Sequence, residues 1–349
     1  MKLAEGRPSA PLQERRTSMT SIGIIANPAS GKDIRRLVSH ATVIDNNEKV
    51  NIVERIILAA QHFGVDSVYI MPDTFHIGLK AIDALVSLKQ LKCNAEVIEQ
   101  EITYSIEDTI KATIEMEKIG VGCIVSLGGD GTNRAIAKAI GDTPLLPIST
   151  GTNNVYPEMI EGTLGGMAAA VTASKKYDLT SFCEKDKRIE VYKNGEMLDI
   201  ALIDAAVSRE NFVGSRAIWD ISTISDIFVT RAHPCSIGLS SIAGCFMKVL
   251  REDEFGLHAR IGDNGGKVVS APISAGVIRD VSVLDYEKMY LSKEYSYVME
   301  FAGTLALDGE REIFVKKGQK LNIKLTRNGP LRVDAKKALE IAQESGFFV

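Results

Sequence analysis

The chain has 349 residues, of which 45% are hydrophobic and 25% charged, so it is long enough for two domains with separate cores. Its formal net charge of −4 argues against a general nucleic-acid-binding protein, because such proteins carry basic patches that neutralise phosphates. No apolar run approaches the ~18 residues that span a bilayer, so we expect no membrane insertion.

The cysteines and the N-terminus indicate a cytoplasmic protein. The five cysteines are odd in number and show no Cys-x-x-Cys spacing, which favours reduced thiols over a disulfide framework or a zinc site. Residues 1–18 are polar and we expect them to be disordered. The Arg15-Arg16 pair precedes an apolar run that is too short for an export signal.

The first half of the chain alternates strands and helices. This alternation predicts an α/β domain over residues 19–157 with a doubly wound, mostly parallel sheet. Ligands of such sheets bind outside the carboxyl ends of the strands, where three glycine-bearing loops are expected, at residues 27–32, 128–133 and 149–154. The strands are predicted at residues 21–26, 67–71, 95–98, 123–127 and 145–148, and the helices at 48–63, 77–89, 105–120 and 133–140.

The second of these loops is the strongest candidate for phosphate binding. Gly128, Gly129 and Gly131 allow backbone angles that a Cβ forbids, so that consecutive amides can close around a phosphate. Thr132 or Asn133 is expected to cap the following helix, whose N-terminus also favours an anion. Many strand-to-helix turns carry two glycines for geometry alone, so the loop by itself leaves both interpretations open.

The first loop, Asn27-Pro-Ala-Ser-Gly-Lys32, resembles a P-loop only superficially. It lacks the leading glycine, and Asp33 stands where a Ser or Thr would hold magnesium, so we reject a Walker motif. Lys32 is available to contact a phosphate.

The second half is predicted to be a β-rich domain over residues 158–326, after one helix at 164–175. Asn194-Gly195 predicts a hairpin between strands at 188–191 and 197–207, and a second hairpin is expected around residues 262–266. Strands are also expected at 295–307 and 313–315, on either side of Asp308-Gly-Glu310, and at 321–326. We assign no structure to 212–250. In the last segment, residues 327–349, a helix at 335–343 is expected to pack back on the first domain.

Taken together, four motifs resemble the superfamily that unites NAD kinases with diacylglycerol and sphingosine kinases. They are Asn27-Pro-Ala-Ser-Gly-Lys32, Gly128-Gly-Asp-Gly-Thr132, Gly151-Thr-Asn153 and Asp308-Gly-Glu310, and they occur in the superfamily's order. The resemblance implies an N-terminal α/β domain and a C-terminal β-sandwich with the nucleotide between them. Residues 24–36 and 151–157 are most similar to a branch of NAD-kinase-like proteins associated with acetoin catabolism.

This resemblance implies an ATP- and Mg2+-dependent kinase that phosphorylates an unidentified hydroxyl-bearing small molecule. Asp130 and Asp204 are the implied catalytic acids, and Asp308 and Glu310 the implied magnesium ligands. A glycine between two acids in a strand connection is also typical of a plain turn, so both interpretations of Asp308-Gly-Glu310 remain open. Asp130 would accept the acceptor's proton or hold magnesium through water, and both roles remain open. The implied nucleotide-binding residues are Asn27, Lys32, Gly128, Gly129, Gly131, Thr132, Gly151, Thr152, Asn153 and Asn154.

Three alternatives remain. NAD kinases carry an Asn-acid pair where this chain has Ile203-Asp204, and since Ile203 cannot hydrogen-bond, NAD itself is a disfavoured acceptor. The same change is compatible with a non-catalytic nucleotide-binding regulator of acetoin breakdown. A dinucleotide-dependent oxidoreductase is disfavoured, because no Gly-x-Gly-x-x-Gly follows the first strand. A homo-oligomer is compatible with the sequence but not required by it.

Overall fold

The computed structural model describes residues 19–30, 40–42, 44–210, 220–262 and 265–349, apart from the side chains of residues 311 and 312. Within these residues the chain forms one mixed sheet covered by helices and two antiparallel sheets packed face to face. The α/β class and the strand-rich second half that the sequence predicts are confirmed.

The N-terminal sheet has seven strands in the order β3-β2-β1-β4-β5-β18-β6. The first five in this order are parallel to their neighbours, β18 is parallel to β5, and β6 is antiparallel to β18. The strands are β1 (Ser21–Ala26), β2 (Ser67–Ile70), β3 (Asn94–Val97), β4 (Ile124–Gly128), β5 (Leu145–Ser149), β6 (Cys183–Lys185) and β18 (Leu331–Val333).

Helices cover both faces of this sheet. Consecutive residues of β1 point to opposite faces: Ile24 packs in the hydrophobic core on one face of the sheet, and Ile25 packs in the core on the other face. Among the described residues, four helices pack on the first face: α1 (Asn46–His62), α2 (Ile77–Ser87), α5 (Gly162–Ala173) and α7 (Ala335–Glu344). In the same part of the chain, two helices pack on the second face: α3 (Ile106–Ile119) and α4 (Asp130–Ala137).

Helix α4 begins three residues before its predicted start. Gly129 is its N-cap residue, so neither Thr132 nor Asn133 caps the helix as the sequence suggested. The Asn133 side chain instead accepts a hydrogen bond from Ser126 Oγ (2.7 Å) and donates to the carbonyl oxygen of Gly129 (2.9 Å). The glycine-rich segment therefore leads directly from strand to helix.

The C-terminal half is a β-sandwich. Val191 and Ile323 of the smaller sheet pack against Phe228 and Leu305 of the larger one, and α6 (Leu239–Gly244) covers the larger sheet's other face. The larger sheet has the order β12 (Lys267–Ser274), β13 (Val277–Tyr290), β11 (Phe255–Gly262), β10 (Ile224–Val229), β9 (Asp204–Ser208), β15 (Gly303–Leu307) and β16 (Glu310–Val315). The smaller sheet has the order β14 (Glu294–Val298), β17 (Lys320–Thr326), β7 (Arg188–Lys193) and β8 (Glu196–Ala201).

Three of the predicted strand arrangements are wrong. The strand predicted at 295–307 is two strands, with β14 in the smaller sheet and β15 in the larger one. The strand predicted at 197–207 is divided at Leu202 and Ile203, where the chain crosses from the smaller sheet to the larger one. The hairpin predicted around 262–266 does not form, because β11 and β12 pair with opposite edges of the long strand β13. The hairpin at Asn194-Gly195 is confirmed, with positive φ angles of 53° and 86° at its two turn residues.

The N-terminal sheet and its core also contain segments from beyond residue 157, which is the predicted end of the first domain. Helix α5 and strand β6 belong to this sheet and its core, so the chain enters the sandwich only at β7. The C-terminus then returns. Strand β18 lies between β5 and β6, and Ala338 and Ala342 of α7 are fully buried in the core of the first face.

Candidate functional site

The candidate site lies where the strand order of the N-terminal sheet reverses. From β1 the chain winds outward to β2 and β3, whereas β4 and β5 lie on the other side of β1. Helices α1 and α4 consequently pack on opposite faces of the sheet. Such an arrangement leaves a crevice outside the carboxyl ends of β1 and β4, which is the usual ligand position in open α/β sheets.

The loop after β1 contacts both neighbouring loops. Asn27 Nδ2 donates to Thr132 Oγ1 of α4 (3.0 Å), and Asn27 Oδ1 accepts from the amide of Ala29 (2.8 Å). Ser30 Oγ lies 3.0 Å from Thr150 Oγ1, at the end of β5. The three loops thus form one connected group. Lys32, predicted to meet a phosphate, lies outside the described residues.

Gly128, the last residue of β4, and Gly129, which follows it, allow two polar side chains to approach the backbone closely. A Cβ on Gly128 would lie 2.6 Å from Cβ of Thr132, and a Cβ on Gly129 would lie 2.6 Å from Asn154 Oδ1. Gly131 is in the first turn of α4, where helical N–H groups have no intrahelical partner and the helix dipole favours an anion. A strand end followed by a helix N-terminus favours an anion, and phosphate binding at Gly128, Gly129 and Gly131 stays a prediction.

Asp130 ties the second loop to the third. Its Oδ1 accepts hydrogen bonds from the backbone nitrogens of Val155 (3.0 Å) and Tyr156 (2.8 Å). Tyr156 is fully buried, and its ring centroid lies 5.3 Å from Cζ of Arg231 and 5.0 Å from Cζ of Arg332. Asp130 is therefore held in a fixed position at the first turn of α4.

The asparagines of the third loop point in different directions. Asn154 Nδ2 donates to Ser149 Oγ (2.8 Å) and to the carbonyl oxygen of Gly151 (3.2 Å), which leaves its Oδ1 facing the second loop. Asn153 instead reaches the sandwich. Its Nδ2 donates to Ser274 Oγ (3.2 Å), and its Oδ1 accepts from the amide of Ala275 (3.1 Å).

Thr152, also predicted to bind nucleotide, contacts the segment before α1. Its Oγ1 accepts a hydrogen bond from the amide of Thr42 (3.0 Å), and its own amide donates to the carbonyl oxygen of the same residue (3.1 Å). Thr152 and Asn153 therefore hold the third loop in place, whereas Asn154 faces the second loop.

Asp308 holds the crossover between the two sheets of the sandwich. Together with Gly309 it forms the turn between β15 and β16, with φ angles of 50° and 77°. Its carboxylate accepts hydrogen bonds from the backbone nitrogens of Leu202 (3.0 Å), Ile203 (2.7 Å) and Asp204 (3.2 Å). These oxygens are directed at backbone amides, which gives Asp308 a structural role, and its role as a magnesium ligand stays a prediction.

The environment of Asp308 also shifts its acidity. Burial raises the pKa of this carboxyl to about 6, while the charge of Arg134 and the backbone hydrogen bonds act in the opposite direction. The nearby charge of Asp130 adds to the increase, which places these two acids in the same electrostatic environment. Asp204, the other predicted catalytic acid, is buried at the start of β9, and its catalytic role stays a prediction.

Arg134 of α4 connects the site to the sandwich. The buried guanidinium lies 3.3 Å from Asp199 Oδ2, 3.8 Å from Asp308 Oδ2 and 3.7 Å from Glu310 Oε2. A Cβ on Gly131 would lie 3.0 Å from Glu310 Oε1, so this partly exposed acid stands beside the first turn of α4. Among the predicted acids, Asp130 and Glu310 are thus the two at the helix N-terminus.

Asp130 and Glu310 suit a magnesium ion that also binds phosphates and water, and not a site made of protein ligands alone. In the described part of the chain, no three His, Cys, Asp or Glu side chains gather closely enough to hold a metal ion. Mg2+ in nucleotide sites commonly uses one or two carboxylates, with phosphates and water completing its octahedron. The oxygen donors of Asp130 and Glu310 match that requirement.

Two functional candidates escaped the sequence analysis. Arg134 follows the glycine-rich loop, but its acidic partners lie more than sixty residues away in sequence. Lys49 occupies a buried position of α1 and donates hydrogen bonds to the first loop. The sequence does contain an indication of this buried lysine, because Lys49 lies at helical spacing from the apolar residues Val53 and Ile56 of the same helix.

No helix among the described residues is long and apolar enough to cross a membrane.

Comparison with known proteins agrees with this architecture. Residues 22–177 match the ATP-NAD kinase N-terminal domain, and residues 187–328 match the acetoin catabolism protein X C-terminal domain. The first match contains all three loops, and the second contains the Asp308 turn. Acetoin catabolism protein X of Cupriavidus necator is 36% identical over 303 residues, which cover 84% of each chain. The chain therefore belongs to the acetoin catabolism protein X family, with an N-terminal domain of the NAD kinase type.

Proposed function

We propose that this protein is an ATP-dependent kinase that transfers a phosphate to a hydroxyl group of a small molecule in acetoin catabolism. The observation that carries the proposal is the meeting of three loops at the carboxyl ends of β1, β4 and β5, around the N-terminus of α4. This is the preferred position for a phosphate in an open α/β sheet. The similarity to ATP-NAD kinases supports ATP as the donor.

Different groups of the site would bind the phosphates, neutralise their charge and position the acceptor hydroxyl, as phosphoryl transfer requires. Backbone N–H groups at Gly129 and Gly131 would contact the phosphates, with Thr132 held in place by Asn27. Bound magnesium would neutralise phosphate charge beside Asp130 and Glu310. Asp130 would then position the acceptor hydroxyl or accept its proton, since phosphoryl transfer depends mainly on positioning and electrostatics.

The acceptor is a small hydroxyl compound rather than NAD. Ile203, which stands where NAD kinases have a hydrogen-bonding residue, is 1% exposed and packs in the core with Ile25 and Ile124. Its backbone is fixed by Asp308. This apolar side chain offers no hydrogen bond to a dinucleotide, whereas the relative's name associates it with acetoin catabolism. The five free cysteines support a cytoplasmic location for the reaction.

The test is an acceptor screen. The protein is incubated with ATP and Mg2+ in the presence of NAD, acetoin or small diols, while ADP release is followed and phosphorylated products are sought by 31P NMR. We expect ADP release that depends on a small hydroxyl acceptor and is abolished by Asp130→Asn. The Asn side chain keeps an oxygen for the amides of Val155 and Tyr156, so the loop contacts survive while the charge is lost.

A non-catalytic nucleotide-binding regulator is the second candidate. It is favoured by the observation that the carboxylates of both Asp130 and Asp308 accept backbone hydrogen bonds, which a purely structural role would also produce. Tight ATP binding without turnover on any acceptor would favour this regulator over the kinase. Hydride exchange at a nicotinamide without ATP binding would contradict both and support an oxidoreductase.

A further inference from the structure

Helix α1 carries a lysine that is completely buried beneath the first loop. Lys49 is 0% exposed and stands in register with Val53 and Ile56, which face the apolar core. Burying a lysine costs side-chain entropy and the hydration of its ammonium group. An apolar residue would fill the same space without that cost, so the contacts of the ammonium group should explain the lysine.

The ammonium group of Lys49 holds both ends of the turn after β1. Its Nζ donates to the carbonyl oxygens of Asn27 (2.8 Å) and Ser30 (3.1 Å) and to Ser30 Oγ (2.8 Å). It also lies 3.2 Å from Asn46 Oδ1, in the first turn of its own helix. One side chain thus fixes the distance between the two ends of the Asn27–Ser30 turn.

These contacts continue into the other two loops. Asn27 Nδ2 donates to Thr132 Oγ1, in the first turn of α4. Ser30 Oγ accepts from Lys49, so its single proton is directed to the carbonyl oxygen of Asn27 (2.9 Å) or to Thr150 Oγ1 (3.0 Å). Lys49 therefore acts, through Asn27 and Ser30, on both the helix N-terminus and the end of β5.

We propose that Lys49 is a positioning residue for the phosphates of the nucleotide. It fixes the Asn27–Ser30 turn and thereby the orientation of Thr132 in the first turn of α4. The inference rests on the proposed function, because it takes that turn to be where the phosphates bind. Its effect should grow with the number of phosphates on the ligand and should be absent for a nucleoside.

The experiment compares Lys49→Met with Lys118→Met, an exposed lysine on α3 whose replacement controls for loss of a positive charge. Binding of ATP, ADP, AMP and adenosine is measured by calorimetry. For Lys49→Met we expect at least about a tenfold loss of ATP affinity, equivalent to ~1.4 kcal/mol, with smaller losses for AMP and less than about a twofold change for adenosine. Lys118→Met should bind all four ligands as the unmodified protein does.

Equal weakening of all four ligands would overturn the proposal, because it would show a general structural role. Unchanged ATP affinity would overturn it as well. If the unmodified protein binds no ATP, the proposed function fails and this inference fails with it. These results separate the two claims, because the inference alone is contradicted when the unmodified protein binds ATP and Lys49→Met shows no phosphate-dependent loss.

Ser30→Ala provides a second route that does not depend on the stability of Lys49→Met. This change removes one acceptor of the ammonium group together with the contact to Thr150. We expect the same ranking of losses, largest for ATP. In the double variant, Lys49→Met should weaken ATP binding by a smaller factor than it does alone, because part of its action passes through Ser30. Fully independent effects would contradict that path.

Discussion

The carboxylate of Asp308 lies 2.7 Å from the backbone nitrogen of Ile203 and joins the β15–β16 turn to the crossover between the two sheets of the sandwich. A chain that changes sheets leaves its ladder of backbone hydrogen bonds, and buried amides there need other acceptors. Asp308 supplies these acceptors at three successive residues. An acid in a motif that suggested metal binding thus stabilises the backbone.

Asp308→Ala should therefore destabilise the protein strongly. It leaves the amides of Leu202, Ile203 and Asp204 buried without this acceptor, and we expect a loss of about 3 kcal/mol in the free energy of unfolding. Asp308→Asn keeps one acceptor oxygen and should lose less. Urea denaturation measures both. A large loss of magnesium-dependent ATP binding without loss of stability would instead identify Asp308 as a metal ligand.

The same residue should make stability depend on pH between about 4 and 6. Burial raises its pKa in the folded protein to about 6, from an ordinary value of 3.8. The folded state therefore binds more protons across this window, so Asp308 lowers the free energy of unfolding as the pH rises through it. The free energy of unfolding is measured against pH for the unmodified protein and for Asp308→Asn, and the difference between the two curves isolates the contribution of Asp308. A difference that is flat, or that rises with pH, would show that the folded pKa is not raised.

Gly128→Ala should disrupt the candidate phosphate site. The new methyl group would lie 2.6 Å from Cβ of Thr132, so the first turn of α4 must move and ATP affinity should fall at least about tenfold. Gly141→Ala is the matched control, because its Cβ would meet only the flexible end of Glu117 at 3.1 Å. Calorimetry with ATP distinguishes them. Equal ATP affinities would place the phosphates elsewhere.

Arg134→Met should weaken the connection between α4 and the sandwich. It leaves the charges of Asp199, Asp308 and Glu310 without a buried guanidinium, and breaking such a buried cluster costs about 3–5 kcal/mol. The control is Lys138→Met, one turn later. Lys138 also contacts Asp199 (2.8 Å), but it is partly exposed, and its loss should cost less than about 1 kcal/mol. Denaturation curves for the two variants should differ accordingly, and similar curves would contradict the assigned role of Arg134.

The sequence predicts the five parallel strands β1 to β5 of the N-terminal sheet and the three loops well because their signals are local, whereas β6 and β18 were not predicted. Short apolar runs ending in Gly128 or Gly151 are readable within a few residues, and parallel strands place their carboxyl ends at one edge. The Asn194-Gly195 turn is similarly readable, because both of its residues require positive φ angles. These features needed no knowledge of distant contacts.

The missed features depend on partners distant in the sequence. Nothing near Asp308 indicates that its carboxylate accepts a hydrogen bond from the amide of Ile203. Likewise, nothing near residue 262 indicates that β11 and β12 each pair with β13 and not with each other. Lys49 could have been recognised only as an exception on an apolar helix face, and its acceptors follow from the loop that folds over it. Local pattern thus predicts where the site lies, while tertiary contacts decide which acids remain available for chemistry.

The most direct test of the central claim is a crystal structure with a non-hydrolysable ATP analogue and Mg2+. We expect the phosphates outside the ends of β1 and β4, with an oxygen within hydrogen-bonding distance of the N–H groups at Gly129 or Gly131. Asp130 and Glu310 should face the magnesium ion, directly or through water, while Asp308 stays on the amide of Ile203. Phosphates bound away from the first turn of α4 would contradict the claim.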